Sequence, residues 1–158
     1  MVPYSVAGKQ TTQAVFEYKG RRSAPVTLTV TDAAPGIFTL AQSGSGQGAI
    51  LNQDYSVNGP NSRIAPGQVL MVYLTVGGEN GKDGELAQGI QQHPMSVTAR
   101  VGGMDAQVIY AGPSPGLIWG LTQVNVVVPT SVAAGAAVPI TVTFGNRTTQ
   151  ADVTIAVK

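Results

Sequence analysis

Cysteine is absent from this chain, which excludes disulfide bonds, thiolate metal ligands and a cysteine nucleophile. Secretion stays open, because bacterial surface proteins can fold without disulfides in an oxidising exterior. No apolar run approaches the length of about 18 residues that marks a membrane-spanning helix, so we expect no membrane insertion. The N-terminus lacks the basic and apolar regions of a signal peptide, so we expect a mature fragment if the protein is secreted.

Charge is also scarce. Only 11% of the 158 residues are charged, while 43% are hydrophobic, and a typical soluble domain has about 25% charged residues. The surface must therefore take its polarity from Thr, Ser, Gln and Asn, a composition typical of extracellular β-proteins. Nine Lys and Arg against eight Asp and Glu give a net charge of +1. Because the sequence has no basic stripe, we expect no nucleic-acid partner. From the low charge and the polar composition we predict an extracellular or cell-surface location.

Hydrolytic catalysis has little support in the sequence. The single histidine, His93, precedes Pro94 and is predicted to lie at the surface on extended backbone. No G-x-S-x-G nucleophile motif occurs. The carboxylates of Glu79, Asp83 and Glu85 share a Gly-rich loop, which favours solvated side chains over a catalytic pair. We therefore predict that the protein is not an enzyme and has no catalytic residues.

Alternation of apolar and polar residues at period two runs through the chain and predicts β-strands. Gly and Pro punctuate the intervals between them, and strands at this spacing indicate an all-β sandwich. The predicted strands cover residues 13–18, 24–30, 68–76, 95–101, 106–111, 122–128, 138–144 and 151–157.

The chain repeats one phrase. Residues 2–30 can be laid over residues 128–157, so that "VPYSV" matches "VPTSV" and "PVTLTV" matches "DVTIAV". A long run of strands precedes the second copy, whereas only Met1 precedes the first. We therefore expect the chain to start inside a domain. The matching positions are Ala14, Phe16, Tyr18 and Arg21 in the first copy, and Ile140, Val142, Phe144 and Arg147 in the second.

These patterns predict an immunoglobulin-like antiparallel β-sandwich preceded by a partial second β-unit. Residues 1–32 are predicted to be the C-terminal strands of an incomplete immunoglobulin-like unit. Residues 33–65 are predicted to be a connector containing the flexible "GSGQG" and a β-hairpin. Residues 66–158 are predicted to form a complete sandwich.

Three strings resemble a known family: "AAPGIFTL", "GQGAILNQDYSVN" and "VIYAGPSPGLIWGLTQVNVVVP". They are similar to the uncharacterised C-terminal domain family of secreted acidobacterial proteins, and the resemblance covers nearly the whole chain. It implies tandem immunoglobulin-like units close to the IPT/TIG type, at the ends of large exported proteins. It also implies that the early strands of the first unit are absent from this chain. The resemblance implies no catalytic or ligand-binding residue.

The strands of residues 1–32 are predicted to expose an apolar face and an unpaired edge, both of which invite another strand. The hairpin at residues 48–58 could complete them within the chain. Another copy of the chain could do so by strand addition or swapping, and a head-to-tail arrangement would build a fibre. A third alternative is a truncated sequence with an artificial edge. The candidate self-association positions are Ala14, Phe16, Tyr18, Val26, Leu28 and Val30.

The segment "NQDYSVNG" is a candidate calcium site. Oxygen-bearing side chains alternate in "NQDYSVNG", but Val57 and Arg63 stand where a calcium-binding EF-hand loop needs Gly and Glu. A hairpin turn with local Asn and Asp hydrogen bonds explains the same residues. We therefore expect no metal and no cofactor. The alternating residues are Asn52, Asp54, Ser56 and Asn58.

Trp119 is the only tryptophan, and an exposed ring there could stack on a sugar, although packing into the sandwich is the favoured interpretation. Tyr73, Tyr110 and Phe144 are predicted to be core or half-buried. The sequence thus predicts a non-catalytic structural or adhesive module that could self-assemble. Its partners would be copies of itself or neighbouring domains of a larger surface protein. The alternative is a carbohydrate- or small-ligand-binding module.

Overall fold

The computed structural model describes residues 2–78 and 81–158, and in these residues β-strands account for the regular structure apart from one turn of 3-10 helix at Tyr4–Val6. The chain divides into two units, Met1–Asp32 and Ala33–Lys158. The prediction of an all-β sandwich class is confirmed. Within the described part of the chain, no helix combines the length and apolarity needed to span a bilayer.

The first unit consists of two antiparallel pairs, β1 with β4 and β2 with β3. In the first pair Thr12 lies opposite Leu28 and Ala14 lies opposite Val26. The β2–β3 turn is closed at its surface by an ion pair of 2.7 Å between Arg22 Nε and a Glu17 carboxylate oxygen. The strands are β1 Thr11–Ala14, β2 Glu17–Tyr18, β3 Arg21–Arg22 and β4 Val26–Thr29.

The second unit contains the remaining strands in two sheets. In sheet I the strand order is β10-β9-β13-β15-β6, and β14 also pairs with β13. In sheet II the order is β11-β12-β8-β5, and β7 also pairs with β8. Neighbours are antiparallel except for β6, which runs parallel to β15. The strands are β5 Gly36–Ile37, β6 Gly46–Gln47, β7 Ile50–Leu51, β8 Val69–Thr75, β9 Val97–Val101, β10 Met104–Ala106, β11 Val108–Pro113, β12 Thr122–Val127, β13 Gly135–Phe144, β14 Arg147–Thr148 and β15 Val153–Val157.

The core of the second unit is built from every second residue of its long strands, because successive side chains of a strand point to opposite faces of the sheet. Burying each such side chain contributes about 1.5–3 kcal/mol. The fully buried side chains of this core on the strands of five or more residues are Leu70, Val72 and Leu74 on β8, Val101 on β9, Val124 and Val126 on β12, Ile140, Val142 and Phe144 on β13, and Val153, Ile155 and Val157 on β15.

Residues 33–65 belong to this sandwich, whereas the sequence pattern predicts a connector there. Ala33, Ile37, Ile50 and Ile64 are buried in the core, and β6, inside the Gly/Ser-rich stretch, pairs with β15. The pattern misses these strands because each is only two residues long, too short to show an alternation. The sandwich therefore extends over residues 33–158 rather than 66–158.

Candidate interaction surface

Residues 2–30 and 128–157 share the same local hairpin geometry. In the first segment the Phe16 amide donates to Ser23 Oγ at 3.0 Å, and the Ser23 amide donates to the Phe16 carbonyl at 2.9 Å. In the second segment the Val142 amide donates to Thr149 Oγ1 at 3.1 Å, and the Thr149 amide donates to the Val142 carbonyl at 2.9 Å. The sequence match between the two segments is thus accompanied by matching backbone and side-chain hydrogen bonds.

Burial separates the two segments. Phe16 is 74% exposed and Tyr18 63%, whereas their counterparts Val142 and Phe144 are 0% exposed. On the returning strand Leu28 is 47% exposed. Both hairpins have apolar side chains at these alternating positions, but in the first unit these side chains are exposed to solvent. We call this surface the hairpin face: Ala14, Phe16, Tyr18, Val26, Leu28 and Val30.

The hairpin face consists of the six residues that the sequence predicts as self-association positions. All of them are exposed except Val30, which is half-buried. Among the described residues, the sheet of β1 and β4 contains only these two strands. In the second unit, by contrast, the equivalent strands β13 and β15 are flanked by β9 and β6. The first unit therefore offers both an apolar face and open strand edges.

A polar groove of about 310 Å³ lies in the second unit at the hairpin after β7. Asp54 shapes the turn of this hairpin, because one of its carboxylate oxygens accepts from the Ser56 amide at 3.0 Å and from Ser56 Oγ at 2.6 Å. These two bonds hold the pKa of Asp54 below its ordinary value. The prediction of a turn held by local side-chain hydrogen bonds is confirmed. The groove is lined by Asn52, Gln53, Asp54, Asn61, Ser62, Arg63, Gln68 and Lys158.

Asn58 is fully buried, and its side-chain amide forms a pair of hydrogen bonds with the backbone of β15, as a neighbouring strand would. Its Oδ1 accepts from the Ala156 amide at 2.7 Å, and its Nδ2 donates to the Ala156 carbonyl at 2.9 Å. The same Nδ2 donates to Asn52 Oδ1 at 2.9 Å. Asn58 therefore ties the hairpin to β15, a role that sequence reasoning missed because a turn also explains an Asn at this position.

His93 is buried, and the prediction of a surface histidine is wrong. The Met95 amide donates to Nδ1 at 3.2 Å, so Nε2 carries the proton and donates to the Gly77 carbonyl at 3.0 Å. The ring meets Phe144 edge to face, with 4.8 Å between ring centroids. Both ring nitrogens therefore form hydrogen bonds to the backbone, which leaves neither free to act as a general base.

Replacing His93 with Leu should lower the free energy of unfolding by about 1–3 kcal/mol, because the Gly77 carbonyl and the Met95 amide lose their partner. Urea denaturation measures this difference. The neighbouring Gln92 is exposed, and Gln92→Leu should change the stability by no more than about 0.5 kcal/mol. Equal effects of the two substitutions would contradict the structural role of His93.

Among the residues that the structure describes, the loop carboxylates and Trp119 form no candidate metal centre. Glu79 lies outside the described residues, and Asp83 and Glu85 are exposed, with Glu85 Oε1 lying 3.6 Å from Lys82 Nζ. Trp119 is half-buried, and its amide donates to the Glu85 carbonyl at 3.1 Å. In residues 2–78 and 81–158, no group of three or more His, Asp or Glu side chains is placed to hold a metal ion.

The chain matches no protein-family model, no curated protein and no solved structure. The structure offers two candidate interaction surfaces, the exposed hairpin face and the polar groove. The hairpin face departs further from an ordinary protein surface, because contiguous exposed apolar patches mark interaction sites.

Proposed function

We propose that this chain is a non-catalytic structural or adhesive module of an extracellular or cell-surface protein. It consists of one complete immunoglobulin-like unit and one partial unit. It acts by packing one of its β-sheets against a partner β-sheet, and it catalyses no reaction. The resemblance to the C-terminal domains of secreted acidobacterial proteins supports this location and this tandem arrangement. The low proportion of charged residues, 11%, supports the extracellular setting.

The strand order supports an immunoglobulin-like identity for residues 33–158. Constant-type immunoglobulin domains place strands A, B, E and D in one sheet and strands C, F and G in the other. In this chain β5, β8, β12 and β11 follow the order A-B-E-D in sheet II. In sheet I, β9, β13 and β15 follow the order C-F-G, with β10 beside β9 as a C′ strand.

The observation that carries the proposal is the exposure of the hairpin face. An apolar face costs free energy while it remains in water, and covering it returns about 25 cal/mol per Å². Two-stranded ribbons are at best marginally stable without a covering layer. A module with such a face gains stability by packing against a neighbouring β-unit, and in a solution of the pure chain that neighbour is another copy.

We expect the full chain to associate through the hairpin face as its concentration rises, as measured by static light scattering. The double substitution Phe16→Asp with Leu28→Asp should weaken association by at least about tenfold, because unpaired charges resist burial. Thr27→Asp is the matched control, because Thr27 is exposed and lies on the opposite face of β4 from Leu28. A monodisperse monomer at every concentration would contradict self-association.

A second candidate function is carbohydrate binding, favoured by the polar groove. Amide and cationic side chains line it, including Asn61, Arg63 and Lys158, and Tyr55 at the hairpin tip is 74% exposed. Exposed aromatic rings beside amides suit the apolar faces and hydroxyl groups of sugars. A glycan array that binds the native chain but not Tyr55→Ala would support this candidate, and an array without signal would exclude the sugars it carries.

A further inference from the structure

We propose that the cognate partner of the hairpin face is a β-sheet equivalent to sheet II, with strands in the order A-B-E-D and an uncharged, apolar inner face. This inference rests on the proposed structural role and names the partner. The hairpin of residues 2–32 would then be the F–G hairpin of a second immunoglobulin-like sandwich.

The second unit supplies the template for this partner. There the counterparts of the hairpin face are fully buried, and sheet II contributes the opposite side of the same core cluster. The contributed side chains are aliphatic, and none carries a charge. They are Ile37 on β5, Ile50 on β7, Leu70, Val72 and Leu74 on β8, Ala111 on β11, and Val124 and Val126 on β12.

The hairpin face has kept the chemistry that such a sheet requires. Each of its positions is apolar, as is each counterpart in β13 and β15. The pattern alternates as well: Thr27, beside Leu28, corresponds to Thr154, beside the buried Ile155. A ribbon that simply lay in solvent would not need an apolar residue at every one of these positions.

Hairpin-to-hairpin contact between two copies is the weaker way to cover the face. Specific interfaces use about 20–30 residues on each side, and a single β1–β4 hairpin presents far fewer. A sheet of the sheet II type covers the whole face, and strands equivalent to β9 and β6 would pair with the open edges. The partner differs from sheet II where the paired side chains differ in size: Phe16 is larger than Val142 and needs smaller side chains opposite it, whereas Ala14 is smaller than Ile140 and needs larger ones.

The test supplies a sheet of this type from the chain's own sequence. An extended chain carries a copy of residues 33–127 ahead of Val2, so that Val127 runs into Val2-Pro3 as it naturally runs into Val128-Pro129. Because the protein contains no cysteine, Leu28→Cys introduces a single thiol for maleimide labelling. Thr27→Cys is the control on the opposite face of β4. A second version of the extended chain also carries Phe16→Val, which restores at this position the side chain of Val142.

We expect Leu28→Cys to label at least about a hundredfold more slowly in the extended chain than in the native-length chain, because labelling then requires local opening. Thr27→Cys should label at the same rate in both. Protection in either version supports the proposal. Labelling at the unextended rate in both versions, or failure of both to fold, would overturn it. A native-length chain that stays monomeric while the extended chain protects Leu28→Cys would refute self-association alone.

Discussion

Truncation of Phe144 to Ala should lower the free energy of unfolding of the second unit by about 3–5 kcal/mol, the usual cost of removing a buried aromatic ring. Phe144 is 0% exposed and supports the ring of His93. Its removal leaves a cavity between the sheets that the short, hydrogen-bonded ends of β13 and β9 cannot close. Urea denaturation followed by circular dichroism measures the change, which appears as a lower midpoint.

The chain provides its own matched control for this substitution. Tyr18 occupies the corresponding position of the first hairpin but is 63% exposed. Tyr18→Ala should therefore change the stability of residues 33–158 by no more than about 0.5 kcal/mol. Equal losses of stability for Phe144→Ala and Tyr18→Ala would show that the hairpin face is already covered. That result would contradict the exposure of the hairpin face on which the proposed function rests.

Replacement of Asn58 by Leu should lower the free energy of unfolding by about 2–6 kcal/mol, because two buried groups lose their partner at about 1–3 kcal/mol each. The Ala156 amide and Asn52 Oδ1 both lose the bonds that Asn58 provides. The Ala156 carbonyl keeps the Ile64 amide as a donor at 3.0 Å. The half-buried Gln47 Nε2, which donates to Asn58 Oδ1 at 3.1 Å, also loses this acceptor. Thermal unfolding beside urea denaturation measures it.

Asn61 is the control for the Asn58 substitution, because it lies in the same segment but is exposed. Asn61→Leu should leave the stability within about 0.5 kcal/mol of the native chain. If Asn58→Leu were equally harmless, the hairpin would not depend on its bonds to β15.

The positions of the long strands and several core side chains could be predicted from the sequence. The alternations at 68–76 and 122–128 correspond to β8 and β12, since a period of two survives whatever the strands pack against. The sequence pattern predicts Phe144 to be core or half-buried, and its side chain is fully buried. The turn at Asp54 was also predictable, because its hydrogen bonds are local and depend on residues two apart.

Other features depend on residues far apart in the chain and had no local signal. His93 is buried because Gly77 and Phe144 meet it in space. The role of Asn58 depends on Ala156, which is 98 residues away. The strands of residues 33–65 are defined by pairing with β8 and β15, and a two-residue strand carries no periodic pattern of its own.

The two hairpins show where local sequence and tertiary structure each decide. By itself the sequence determines the alternation, the turn and the paired hydrogen bonds, so Phe16–Ser23 and Val142–Thr149 adopt the same geometry. Only the tertiary structure decides that Val142 is buried while Phe16 is exposed. Local hydrogen bonds need only neighbours in the chain, whereas burial needs a second sheet, and sheet II lies over one of these hairpins.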